Sequence, residues 1–323
     1  MRLLALGLLL GIPAAGSAET IFVSDEAANC VHAIDGATLK AIECVKVGPR
    51  PRGLAASKDG KRLYVAVSNA NEIAVVDTAT RKVIRRLPSG SDPETFALAP
   101  DEGQVYIANE DANLLSVIGA ERGDMQREIA VGGEPEGTAV SPDGRTAIQT
   151  SETSSMAHVV DTATGEIRAN LMVDSRPRYV AFTPDGRRFW VTSEVRGTLT
   201  VFDTASLKEV GKLDFESAQL LKSPTADQFV QPVGIRFKHD GSRAFVALGR
   251  GKLVAEVDPQ SLRIVRSWPV GFRAWNLALS ADERRLYTAD GLDGTMSIVD
   301  LTANRVLPPV KLGGKPWGIE SVP

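Results

Sequence analysis

Seven short segments carry the groups best suited to recognise or transform a ligand. They are Arg50-Pro51-Arg52, Asp92-Pro93-Glu94, Glu134-Pro135-Glu136, Arg176-Pro177-Arg178, Gln231-Pro232-Val233, Arg273-Ala274-Trp275 and Lys315-Pro316-Trp317. The residue after the proline position is in turn Arg52, Glu94, Glu136, Arg178, Val233, Trp275 and Trp317. Guanidinium groups grip carboxylates bidentately and indoles stack on flat molecules, so a small anionic aromatic ligand suits the set. The same groups can also satisfy one another, with arginines paired to carboxylates and tryptophans filling the space between them. Both readings stand on the sequence.

Other chemistry is sparse. Of the three histidines, His32 and His158 fall at one position of the repeat described below and His239 lies in a turn, so they do not converge on a metal or a triad. There is no glycine-rich phosphate loop of the usual form. Glu94 and Glu136 with Asn276 offer oxygen ligands for a hard cation such as calcium, although no metal or cofactor is expected. Glu26, Glu110, Glu152 and Glu194 share another repeat position, read as a solvated loop position or as an acidic rim for a basic partner.

The elements that position these groups recur. Pro51 returns at Pro93, Pro135 and Pro177, each 42 residues on, and the frame resumes at Pro232, Ala274 and Pro316. The interval from Pro177 to Pro232 is 55 residues, a unit plus 13, which marks an insertion over residues 214–231. That insertion reads as a lid, a docking surface or a tolerated bulge. Each unit holds four strand signals. In the first they are Gly53 to Ala56, Arg62 to Val67, Ile73 to Val76 and Lys82 to Leu87. Asp-Gly turns (Asp59-Gly60, Asp143-Gly144, Asp185-Gly186, Asp240-Gly241) and Asp-Thr-Ala-Thr turns separate them. A period near 40 with four strands per unit predicts an all-β, seven-bladed β-propeller. Six units run from 51 to 315; residues 316–322 and 20–50 must pair to make the seventh and close the ring.

The 323 residues carry a formal net charge of −3 without a basic run, which argues against nucleic acid and against a polybasic membrane contact. Arg2, the apolar run Leu3–Ile12 and the small residues up to Ala18 predict a secretory leader over residues 1–18. The propeller then spans 19–323, in the periplasm, as a monomer without membrane insertion. Cys30 and Cys44 are the only cysteines, and the hairpin alignment sets them opposite one another as a disulfide. Glu72 and Arg86 occupy the same two places in the next unit.

The series Tyr64-Val65-Ala66-Val67, Tyr106-Ile107-Ala108-Asn109, Trp190-Val191-Thr192-Ser193 and Tyr287-Thr288-Ala289-Asp290 resembles the YVTN β-propeller repeats. Within that family the chain resembles exported seven-bladed proteins associated with pyrroloquinoline quinone-dependent catabolism. The resemblance implies a non-catalytic binding or assembly protein that contacts a dehydrogenase, a cytochrome or a transport component, with pyrroloquinoline quinone as an optional ligand. The alternatives are enzymes: a lactone hydrolase with a channel metal, the large subunit of a quinone-containing amine dehydrogenase, or a haem-binding propeller needing His32 or His158 in the channel. A propeller hosts many unrelated activities, so the site must decide.

Overall fold

The structure, a computed structural model, describes residues 19–323; the expected leader lies outside them. Among the described residues, 28 strands form seven four-stranded antiparallel sheets arranged as the blades of a propeller. No helix among the described residues is long and apolar enough to cross a membrane. The second strand of each unit is buried on both faces because it lies between neighbouring blades. Leu63 to Val67, for example, are all buried. The fourth strand, such as Lys82–Pro88, alternates because one face meets solvent. The core is therefore a series of clusters between blades. Tyr64, Ile73, Val75 and Leu87 pack on Phe96, Val105, Ile107 and Ile118 of the next unit.

The turns behave as their residues dictate. Gly60, Gly144, Gly186 and Gly241 all sit at φ near +70°, where glycine alone is free of a Cβ penalty. Asp77 accepts hydrogen bonds from the amide and hydroxyl of Thr80, and Asp203 does the same for Ser206. Ring closure follows the expected pairing: Pro316–Val322 joins Thr20–Asp25, with Phe22 opposite Glu320. Glu19 fastens the seam by accepting from Ser321 and from the amide of Ala281.

One expectation is corrected. Cys30 faces Lys46 and Cys44 faces His32, with a register shift between Ala33 and Ile34. The disulfide forms across the diagonal, with the Cα atoms 5.6 Å apart, because strand twist draws one diagonal close. The Glu72–Arg86 ion pair is diagonal in the same way, since Glu72 faces Pro88. The insertion is anchored in the core. Its Phe215 and Val230 enter a core cluster on which Leu220 and Leu221 also pack. It shortens the fifth inner strand to Ile235–Phe237.

The other inner strands are Pro51–Ala56, Pro93–Leu98, Pro135–Val140, Pro177–Phe182, Ala274–Leu279 and Pro316–Val322. Each carries a register irregularity near its start. Such bulges re-aim side chains. Here they fall at the residue after the proline position. Arg50, Asp92, Glu134, Arg176 and Arg273, one residue before that position, all adopt φ between +52° and +64°. This left-handed residue lets the chain turn into each of these inner strands.

Candidate functional site

The expected rim residues converge at one end of the central channel, where they form a closed network. Arg50 bridges both Asp92 oxygens at 2.8 and 2.9 Å and reaches Glu94 at 3.2 Å. Arg52 binds Glu94 and sits 2.6 Å from Glu26. Arg178 binds Glu136 at 2.7 Å, binds Glu152, and lies 3.9 Å from Glu194. Arg176 spans Glu152 and Glu194 at 2.7 and 3.4 Å, and Arg273 holds Glu194 at 2.5 Å and Gln231. Lys315 stands apart, with its backbone amide donating to Asp25.

The tryptophans pack beside one another, ring centres 6.0 Å apart. Their faces carry cations: Arg52 is 5.3 Å from the Trp317 ring, and Arg178 and Arg273 are 5.0 and 3.9 Å from that of Trp275. The surfaces expected to stack on a flat ligand are thus covered by guanidinium groups.

Burial sets the protonation states. Glu136 is 2% exposed, and burial lifts its pKa to about 8 against the pull of Arg178. Glu94 is raised well above the ordinary range by burial and by Glu136, with Arg52 opposing. Glu194 is held low instead, because Arg178, Arg273 and Arg176 outweigh its burial. Arg178 is raised by the carboxylates that surround it, despite burial. One oxygen of Glu136, Oε2, and the Trp317 indole N–H are buried with no hydrogen-bond partner. Buried polar atoms are rarely left so, and each calls for an explanation.

Three residues of this network, Glu26, Glu152 and Glu194, occupy the repeat position that reads from sequence as a solvated loop or an acidic rim. Glu152 and Glu194 are neither solvated nor presented to a partner; both are buried counter-charges of Arg178. Glu26 likewise pairs with Arg52, whereas Glu110 stays half-buried. Their shared repeat position was the available signal, since it places them beside the proline-position residues of a neighbouring unit.

A cation site does not fit here. Asp92, Glu94 and Glu110 bring oxygens within 4.8 Å of one another, but Arg50 and Arg52 already neutralise the first two. Asn276, offered as a calcium ligand with Glu94 and Glu136, instead donates its amide to the Trp317 carbonyl at 3.3 Å. Nor do His32 and His158 reach the channel. His32 bonds Asp25 at 3.1 Å within its blade.

His158 belongs to an arrangement that sequence reasoning missed. Its Nδ1 is 2.6 Å from Asn170 Oδ1 and its Nε2 is 3.1 Å from Ser151 Oγ, the order of a nucleophile, base and orienting group. The amide of Gly132 donates to the same Nε2 at 2.9 Å, and Ser151 Oγ donates to the Gly132 carbonyl at 3.1 Å. Other blades cap the equivalent loop differently, with Asp25 accepting from Lys315 N–H and Ser297 from Gly271 N–H. The trio is a loop cap, with its base already occupied.

Below the mouth the channel narrows. The second residue after the proline position alternates as Gly53, Thr95, Gly137, Tyr179, Gly234, Asn276 and Gly318. A Cβ on Gly53, Gly137 or Gly234 would come within 2.8 to 2.9 Å of the next strand's backbone, so glycine allows the inner strands to close in. The waist holds a cavity of about 30 Å³. Beyond it the channel widens into a chamber of about 620 Å³ lined by all seven inner strands.

The pattern of the YNCE-like beta-propeller family matches residues 10–99, well under half of the chain. No curated protein matches the sequence. Solved structures do match over nearly the whole length. Hydrazine synthase of Kuenenia stuttgartiensis shares 21% identity at a TM-score of 0.74, covering 96% of this chain and 100% of that one. A protein assigned as a 6-phosphogluconolactonase from Bacteroides fragilis shares 15% at 0.77, covering 97% and 100%. The periplasmic gluconolactonase of Pseudomonas aeruginosa shares 19% at 0.77, covering 95% and 99%. At these identities the likeness carries the propeller fold. All three are named for enzymes, which overturns the expectation of a non-catalytic assembly protein accessory to quinone-dependent oxidation.

Proposed function

We propose that this chain is an exported propeller enzyme that hydrolyses a small anionic lactone or ester at the channel mouth. One observation carries the reading: Glu136 is a buried carboxyl with a pKa raised to about 8, an unpartnered Oε2, and Arg178 2.7 Å from its other oxygen. A general base works best when its pKa lies near the working pH. In the reaction, Glu136 takes a proton from water as the water oxygen adds to the ester carbonyl. Arg178 and Arg52 stabilise the resulting oxyanion. The ester C–O bond breaks, and the proton held by Glu136 passes to the leaving alkoxide, giving an alcohol and a carboxylate. Arg176, 49% exposed on its side chain and spanning two carboxylates, is the group that must swing aside to admit substrate.

The two neighbours named as lactonases support this substrate class, and no step is routed through a metal. The finer kinship with YVTN repeats and with propellers of quinone-dependent catabolism rests on the Tyr64, Tyr106, Trp190 and Tyr287 strands. A periplasmic location rests on the leader-like residues 1–18.

The test is titration of acid released from 6-phosphoglucono-δ-lactone, an anionic lactone, by purified protein between about pH 6 and 9, above the rate without protein. Turnover should rise with pH toward a plateau above about 8, and Glu136→Gln should lower it by about 100-fold or more. A folded Glu136→Gln protein with undiminished turnover would sink the proposal.

A further inference from the structure

The chamber at the other end of the channel has its own departure from the repeat. The fourth residue after the proline position is Ala55, Ala97, Ala139, Ala181 and Ala278 in five units, but Arg236 and Glu320 in the other two. Small residues keep the chamber open, and two blades break the rule with opposite charges. Arg236 Nη2 meets Glu320 Oε2 at 3.1 Å and its Nε donates to the Leu277 carbonyl at 3.2 Å. Among the described residues, no acceptor engages Nη1. Although deep within the ring, Arg236 keeps 34% of its side chain exposed, because it faces the cavity. The wall is polar and apolar in about equal parts, with Phe96, Leu98, Phe182 and Phe237 on its apolar side. Lys238 and His239 stand at the entrance, the latter paired with Glu283. The phenol of Tyr179 lies at the inner end, and burial raises its pKa so that it remains a neutral donor.

We infer that this chamber is a second ligand site, for an amphipathic monocarboxylate with one apolar chain or ring. A guanidinium offers two forked edges, so a ligand carboxylate can take Nη1 while Glu320 keeps Nη2. The apolar body then lies against the walls, in a volume ordinary for small-molecule sites. The site is separate from the proposed hydrolysis, and its occupancy is read without turnover.

Calorimetric titration with sodium octanoate, 1-octanol and octylammonium tests the assignment on the full chain. Octanoate should bind saturably at one per chain and at least about tenfold tighter than octanol. Arg236→Gln should weaken octanoate, and Glu320→Gln should tighten it by freeing the guanidinium. A shared loss of stability would move both the same way. Ala139→Leu narrows the chamber with the ion pair intact and should also abolish binding, which covers the case of an Arg236→Gln chain that does not fold. Glu136→Gln, altered at the far end, should bind octanoate like the unaltered chain. The inference is overturned by equal affinity for octanol, by preference for octylammonium, by no saturable binding, or by loss of octanoate with Glu136→Gln.

Discussion

The two ends of one channel use charge in opposite ways. At the mouth, residues from neighbouring units form an almost closed lattice of five arginines, six acidic residues and two indoles, in which Arg178 is only 5% exposed. In the chamber, a single Arg236–Glu320 pair stands among alanines and phenyl rings beside open space. Buried charges are tolerable only when fully paired, so the mouth is close-packed around its network. The chamber keeps charge sparse, and a group there can change partner at little cost. The difference teaches where each kind of event belongs: proton transfer with altered protonation at the mouth, and a change of carboxylate partner on a guanidinium in the chamber.

The harshest way to break the comparison is to remove the strand both ends share. Deleting residues 316–323 takes Trp317 from the mouth, Glu320 from the chamber and the partner of Thr20–Asp25 from the closing blade. An open ring exposes the edge of that blade and two blade faces, so the melting temperature should fall by well over ~10 °C, read by circular dichroism. A truncated chain melting with the full one would show that closure does not hold the ring.

A narrower cut compares one arginine from each end. Arg178→Met removes the cation beside buried Glu136 and one of the cations on Glu152 and Glu194, and loss of one partner from such a group costs about 3–5 kcal/mol. Arg236→Met unpairs a carboxylate that borders the open chamber, where the loss should be about 1 kcal/mol or less. Urea denaturation of the two variants measures both. Equal losses would mean that the mouth network is no more tightly coupled than a surface pair.

How much of this was legible in the sequence follows from what repetition can encode. A period of 42 fixes blade number, strand order, turn chemistry and which residues meet at the mouth, because those depend on local patterning. The direction in which Arg52 and Arg178 turn depends on contacts between units. The choice between gripping a ligand and pairing with Glu94, Glu152 and Glu194 therefore had to come from coordinates. The Cys30–Cys44 disulfide was legible but its diagonal register was not: one bulge between Ala33 and Ile34 shifts the hairpin, and no residue there announces it. The chamber was visible in principle, since Arg236 and Glu320 interrupt a column of alanines.

The gentlest test changes only the solvent. Glu136 is raised to about 8 and Asp290, buried beside Thr288, Thr295 and Ser297, to about 6. Between the unfolded carboxyl pKa, near about 4, and these values, the folded chain retains protons that the unfolded chain has released. Stability must therefore fall as pH rises across that window. The melting temperature should drop by a few degrees from about pH 5 to pH 8, the reverse of a protein held by depressed carboxylates. Glu136→Gln should flatten the fall above about pH 6, with Glu94, also raised, accounting for what remains there. Asp290→Asn should flatten it below about pH 6. A melting temperature that climbs steadily over the same range would show that Glu136 is ionised in the folded state, and would remove both the protonation contrast between the channel's two ends and the base proposed for hydrolysis.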